Sequence, residues 1–124
     1  MREQRRRWTG QLQSAISADS LMQLRILKSA FEDLDRGRAF YAQHGDEVGD
    51  YFLDSLFVDI DSLASHAGIH AQVWGFHRML ARRFPYAIYY KVNADVCTVW
   101  RVLDCRSRPS RVRQALRAER SQGL

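Results

Sequence analysis

A chain of 124 residues has room for one domain around one core, and 46% hydrophobic with 11% aromatic residues suffices to build it. These proportions exclude a wholly disordered chain, and with no apolar run near ~18 residues nothing in the sequence reads as a membrane-spanning helix. The net charge of +5 is divided unevenly: residues 28–61 carry nine acids against three bases, and residues 78–120 carry eleven bases against three acids. The basic half suits an acidic protein or a nucleic acid as partner, and a solvated basic face is the plainer alternative.

Residues 1–21 lack a clean amphipathic period. Arg2, Arg5, Arg6 and Arg7 precede a polar stretch, not the continuous apolar segment of a secretory signal, so the expected location is the cytoplasm. Met22-Gln-Leu-Arg-Ile-Leu27 then alternates apolar and polar residues, as a half-buried strand does. The expectation is that Met22 is the natural start, that residues 1–21 are a weakly ordered extension, and that residues 22–120 form the domain.

A first helix is expected from Ser29 to His44. Phe31, Leu34 and Tyr41 share a stripe, Ser29 and Glu32 have the spacing of a capping box, and Gly45 marks the end. A second helix is expected from Asp46 to His66. Val48, Phe52, Leu56, Ile60 and Leu63 recur at helical spacing, Tyr51 and Phe57 widen the stripe, and Gly68 is the stop. Together they read as a helical hairpin. Beyond it the pattern changes to short strands at Gln72–Trp74 and Arg78–Ala81 about Gly75, then longer ones at Tyr86–Val92 and Val96–Leu103 around an Asn93–Asp95 turn. Arg106–Ser110 ends this antiparallel meander, and a short basic helix is expected from Ser110 to about Arg120. Helices segregated from consecutive strands indicate an α+β fold.

Cys97 and Cys105 have neither zinc nor CxxC spacing, and they read as buried or idle thiols. His66, His70 and His77 could be assembled into a metal triad, but Gly68 interrupts the helix that would align the first two, so no metal or other cofactor is expected. Asp59 and Asp61 do not share a helical face. No phosphate-cradling glycine motif is present. Trp74 and Trp100 are expected in the core or at an interface, and Phe84-Pro85 is expected to fix entry into the next strand.

The strand Arg82-Arg-Phe-Pro-Tyr-Ala-Ile-Tyr-Tyr90, followed by Val102-Leu-Asp-Cys-Arg-Ser-Arg-Pro109, resembles the RelE/ParE toxin superfamily. Phe40-Tyr41, Asp50-Tyr-Phe-Leu-Asp54, Asp59-Ile-Asp-Ser-Leu63 and Gly68-Ile-His70 add to the resemblance, which covers about Met22 to Leu116 and leaves residues 1–21 outside it. The resemblance implies an antiparallel sheet carrying an N-terminal helical hairpin. It further implies a growth-inhibiting toxin of a type II toxin–antitoxin pair, joined to a cognate antitoxin in a hetero-oligomer. One branch of the superfamily cuts mRNA in the ribosome and another blocks DNA gyrase.

RNA cleavage needs a base for the ribose 2′-OH, cations for the phosphorane and an acid for the leaving oxygen. By position in the resemblance, Arg78 matches a lysine of the second strand and Arg106 the arginine after the last strand. With Arg82 and Arg83 these are the catalytic candidates. Ala87, however, stands where the nuclease branch has an arginine, and Val112 lies about where it has a tyrosine. An arginine is too basic for an ordinary general base, which leaves Tyr86, Tyr89 or Tyr90 as substitutes. The gyrase-blocking branch needs only a binding surface, so the expectation leans to it, with the mRNA endonuclease and an inactive partner-binding module as alternatives. The residues expected to bind a partner are Arg82, Arg101, Arg106, Arg108, Arg111 and Arg113.

Overall fold

A computed structural model describes residues 21–123, with side chains through Ala118; the extension expected at residues 1–21 lies almost wholly outside it. The elements run β1 (Gln23–Ile26), α1 (Lys28–Ala42), α2 (Asp46–Asp61), α3 (Leu63–His66), β2 (Gln72–Val73), β3 (Phe76–Leu80), β4 (Tyr86–Asn93), β5 (Val96–Asp104) and α4 (Pro109–Gly123). This is the α+β order read from the sequence.

The sheet order is β1-β5-β4-β3-β2. The meander β2 to β5 is antiparallel throughout, whereas β1 pairs parallel with β5, Gln23 opposite Val96 through Ile26 opposite Val99. β5 continues to Asp104, past the end of its partner. There α1 takes over the sheet edge: Ser29 Oγ donates to the Trp100 carbonyl (3.2 Å), and Asp33 Oδ2 accepts the Val102 N–H (2.9 Å). Ser29 is therefore not the N-cap expected. The cap position falls on Leu27, with no side-chain cap, because the helix starts directly off β1 and its first hydroxyl is drawn to the sheet.

Helices cover both faces of the sheet. On one, Leu34, Phe52, Leu56 and Ile60 of the hairpin meet Ile88, Tyr90, Val99 and Val102. On the other, Val112 and Leu116 of α4 meet Phe76, Ala87 and Tyr89. Burial on both sides explains why Tyr86 to Tyr90 are all buried instead of alternating. In β5 the alternation is reset by a bulge. The register steps from Tyr89 opposite Arg101 to Tyr90 opposite Val99, and the extra residue, Trp100, lets Val99 and Val102 both face the hairpin.

The two long helices approach closely because α1 carries Gly37. A Cβ there would lie 2.5 Å from the Phe52 ring. Tyr51, expected to widen the buried stripe of α2, is exposed, while Phe57 is buried as expected. The expected helix from Asp46 to His66 is interrupted only at Ser62, between α2 and α3.

One carboxylate joins these layers. Asp33, on α1, is buried and accepts the Val102 N–H, Arg101 Nε (2.7 Å), Arg101 Nη2 (2.8 Å) and a hydrogen bond from Arg36. Arg101 also donates to the Ala115 carbonyl of α4 (3.2 Å). The Asp33–Arg101 pair is well buried, with side chains 3% and 15% exposed, and removing one partner leaves the other charge desolvated. Asp33→Ala is expected to destabilise the fold by about 3–5 kcal/mol, read as a lowered urea midpoint. A midpoint within experimental error of the parent would show that the pair does not hold the layers together.

Candidate functional site

The end of β5, the C-terminal part of α1 and the start of α4 enclose a groove of about 330 Å³, with Phe40, Leu103 and Val112 as its apolar lining and Arg36 and Arg111 among its charged lining. A second depression of about 460 Å³ adjoins it and is lined by Asp104, Arg106, Ser107, Arg108 and Arg111. Arg106, Arg108 and Arg111, three of the six arginines expected to bind a partner, are thus brought together by the tight passage from β5 into α4. Arg106 is exposed and folds back on Asp104, donating to Oδ1 from Nε (3.0 Å) and to Oδ2 from Nη2 (2.8 Å). These hydrogen bonds hold the Asp104 carboxyl below the usual carboxylate range. The same guanidinium reaches the Tyr41 hydroxyl at 3.4 Å and lies 6.0 Å from the Phe40 ring centroid. Arg108 and Arg111 are exposed, and neither pairs with an acid among the described residues whose side chains are placed. Arg101 lies deeper, bound to Asp33 and Ala115, where its guanidinium serves the fold.

Arg82 and Arg83 sit in the β3–β4 turn, both exposed. Asp59 of α2 accepts the Arg82 backbone N–H (3.0 Å), while the Arg82 side chain stays 76% exposed at 3.9 Å from the same carboxylate. Pro85 ties this turn to the end of β5, accepting the Cys105 N–H at 2.8 Å. Phe84 lies among Tyr41, Tyr51 and Phe52, at ring-centroid distances of 4.8, 5.6 and 5.0 Å. The Phe-Pro pair thus pins the strand entry by packing as well as by backbone restriction.

Arg78 stands apart from this arginine cluster. It is half-buried in β3 opposite Tyr89, and its Nε is buried without a hydrogen-bond partner among the described residues. The strand face bearing Tyr89 is covered by α4 through Val112 and Leu116. All three tyrosines that could stand in for an acid or base are buried. Burial first, and then the Asp104 charge, pushes the Tyr86 phenol up to about 12. Burial likewise raises Tyr89 and Tyr90. Cys97 is buried and its thiol pushed up to about 12, while Cys105 is exposed.

Of the three histidines His66, His70 and His77, the last two are joined through Tyr90. Its hydroxyl accepts the Gly68 N–H (2.9 Å) and shares a hydrogen bond with His70 Nδ1 (2.6 Å). His77 Nδ1–H donates to the His70 carbonyl (2.7 Å), and its ring stacks on Tyr90. Among the described residues no group of three His, Cys, Asp or Glu side chains could hold a metal ion, and no helix is long and apolar enough to cross a membrane.

Sequence reasoning missed Asp33 and Arg36 as determinants of these surfaces. Asp33 carried a usable signal, an acid flanked by Ala30 and Leu34 on the buried stripe of α1.

A family model described as ParE toxin of type II toxin–antitoxin system, parDE, matches residues 24–109. Among solved structures, the chromosomal ParDE toxin–antitoxin system from P. aeruginosa is similar, with a TM-score of 0.60 at 20% identity over 65% of this chain and 92% of that one. No curated protein matches.

The histidine cluster generates a pH dependence. Burial, then the neighbouring His77 and His66, lowers the His70 pKa below its ordinary 6.5. The unfolded chain therefore takes up that proton first. This contribution to stability is whole above about pH 7 and falls as pH drops through the unfolded value near 6.5, levelling off only below the depressed folded value. The urea midpoint is expected to fall from pH 7.5 to pH 5.5 by a smaller amount in His70→Asn than in the parent. Equal falls would show that His70 is not the group responsible.

Proposed function

The chain belongs to the family of ParE toxins of type II toxin–antitoxin systems, and from that premise we propose that it arrests growth by binding a protein target, DNA gyrase, and is held inactive in the cytoplasm by its cognate antitoxin. The observation that carries the binding mode over RNA cleavage is the burial of the central strand face beneath α4. An endonuclease needs a solvent-facing base and acid near its cations. Arg78 is half-buried against Tyr89, and Tyr86, Tyr89 and Tyr90 are buried with raised pKa values. Among the described residues this pairing offers the half-buried cation Arg78 but no solvent-facing acid or base beside it.

The groove between α1 and α4 supports the antitoxin reading. It offers the end of β5, the exposed ring of Phe40 and a rim of arginines. An extended acidic segment would lay apolar side chains on Phe40 and Leu103 and carboxylates on Arg108 and Arg111. Arg36 and Arg106 already hold Asp33 and Asp104, so their contribution to a partner is smaller. The antitoxin and toxin form a hetero-oligomer.

Reversing charge at Arg108 and Arg111 together (Arg108→Glu, Arg111→Glu) is expected to weaken a purified toxin–antitoxin complex at low salt and much less at high salt, where such pairs are screened. Titration by calorimetry at both salts reads this, and an unchanged affinity at low salt would remove the groove from the interface. For the target, the purified toxin is expected to stop DNA supercoiling by gyrase and to leave ribosome-bound mRNA intact. The reverse pattern would establish the nuclease.

A further inference from the structure

The loop between β3 and β4 is pinned along its length. The Ala81 N–H donates to the Tyr86 carbonyl (2.8 Å), the Tyr86 N–H to the Phe84 carbonyl (2.7 Å), and the Cys105 N–H at the end of β5 to the Pro85 carbonyl (2.8 Å). From α2, the buried Asp59 carboxylate accepts the Arg82 N–H at 3.0 Å. Asp59 thereby fixes the Arg82 backbone and leaves the guanidinium in water, 76% exposed and 3.9 Å away. Arg83 is exposed and pairs with no acid among the described residues whose side chains are placed. A loop anchored in this way presents two cations in a fixed place, with little ordering left to do on binding.

Beside the arginines an apolar ridge runs along α2. Tyr51 and Val58 are seven residues apart on one face of the helix, 51% and 56% exposed. Phe84 joins this ridge to the loop, its ring centroid 5.6 Å from that of Tyr51, and Val58 immediately precedes Asp59. The acids Asp54 and Asp61 fall, by helical spacing, on the flank of the ridge away from Asp59 and the loop. Phe84 also lies 4.8 Å from Tyr41, whose ring is 5.1 Å from that of Phe40 in the α1–α4 groove. The ridge is therefore continuous with that groove and lies outside its lining.

Apolar side chains scattered singly over a surface are ordinary. A half-exposed tyrosine ridge beside two arginines on a rigid loop is different, because tyrosine and arginine dominate binding hot spots. We propose that Tyr51, Val58, Phe84, Arg82 and Arg83 form the surface by which the toxin engages its protein target, an assignment that rests on the protein-target reading above. Charge sets the chemistry of the partner: the two arginines require a face that places carboxylates around an apolar hollow. Ring geometry sets its class. Single-stranded nucleic acid stacks its bases on open ring faces. Phe84 meets Tyr41 and Tyr51 at interplanar angles of 62° and 59°, so these rings interlock into a ridge that suits a protein surface.

The test follows supercoiling of relaxed plasmid by purified DNA gyrase with the full chain added, beside calorimetric titration of each variant with the antitoxin. One variant combines Arg83→Glu with Arg82→Gln, since glutamine keeps the backbone N–H that Asp59 accepts and sets no like charge beside that carboxylate. The other is Tyr51→Ala. The arginine variant is expected to keep the thermal midpoint and antitoxin affinity of the parent. It is expected to raise the toxin concentration for half-inhibition about tenfold or more at low salt and less at high salt. Tyr51→Ala, folded at the assay temperature, is expected to raise it by a similar factor at both salts. Inhibition by both variants equal to that of an active parent would remove this surface and leave the target reading standing. A folded parent that leaves supercoiling untouched would remove the target reading and this surface with it. Loss of antitoxin affinity in step with loss of inhibition would reassign the ridge to the antitoxin. Salt-sensitive binding of a thymidylate dodecamer that the arginine variant abolishes would reassign it to nucleic acid.

Discussion

The architecture depends on how one buried carboxylate ends a sheet. β1 is too short to accompany β5 to its end, and an uncovered edge leaves backbone groups without partners. Asp33 supplies the missing acceptor to Val102 and the counter-charge to Arg101. Arg101 in turn holds the Ala115 carbonyl of α4. One chain of hydrogen bonds therefore passes from the helical hairpin through the sheet edge to the terminal helix. The desolvation penalty of such an ion pair offsets much of its Coulombic gain. Its geometry nevertheless fixes where α1 and α4 sit relative to the sheet.

The position of α4 decides what the molecule can do. By laying Val112 and Leu116 over Ala87 and Tyr89, it covers the strand face that Tyr89 shares with Phe76. It also creates two grooves along its flanks. The one toward α1 ends in arginines supplied by the β5–α4 passage, and the one toward β2–β3 ends in Trp74. Only a few apolar side chains anchor the helix, each contributing about 1.5–3 kcal/mol when fully buried. The positively charged half noted in the sequence thus resolves into separate surfaces with different chemistry.

Much of this was legible in the sequence. The stripe Phe52, Leu56, Ile60 and Leu63 gave the second helix, and the Tyr86–Val92 run gave the central strand, because both signals are local. The word from Arg82 to Pro109 carried the family resemblance. The parallel pairing of β1 with β5 was not legible, nor was the Trp100 bulge, since neither leaves a periodic trace in its own segment. Ser29 and Glu32 fitted a capping box by spacing alone, yet the Ser29 hydroxyl is drawn to a carbonyl 71 residues away. Arg101 looked like any other surface arginine because its partner, Asp33, is 68 positions distant. Of the expected site, Arg106, Arg108 and Arg111 were placed together. Arg78 proved separate.

The proposed target of the toxin is DNA gyrase, with ribosome-bound mRNA left intact. Growth of a bacterial host after induced expression, with incorporation of labelled thymidine and of a labelled amino acid followed in one culture, tests it most directly. Thymidine incorporation is expected to fail first while amino-acid incorporation continues. Early loss of amino-acid incorporation, or undisturbed growth in the presence of folded protein, would contradict it.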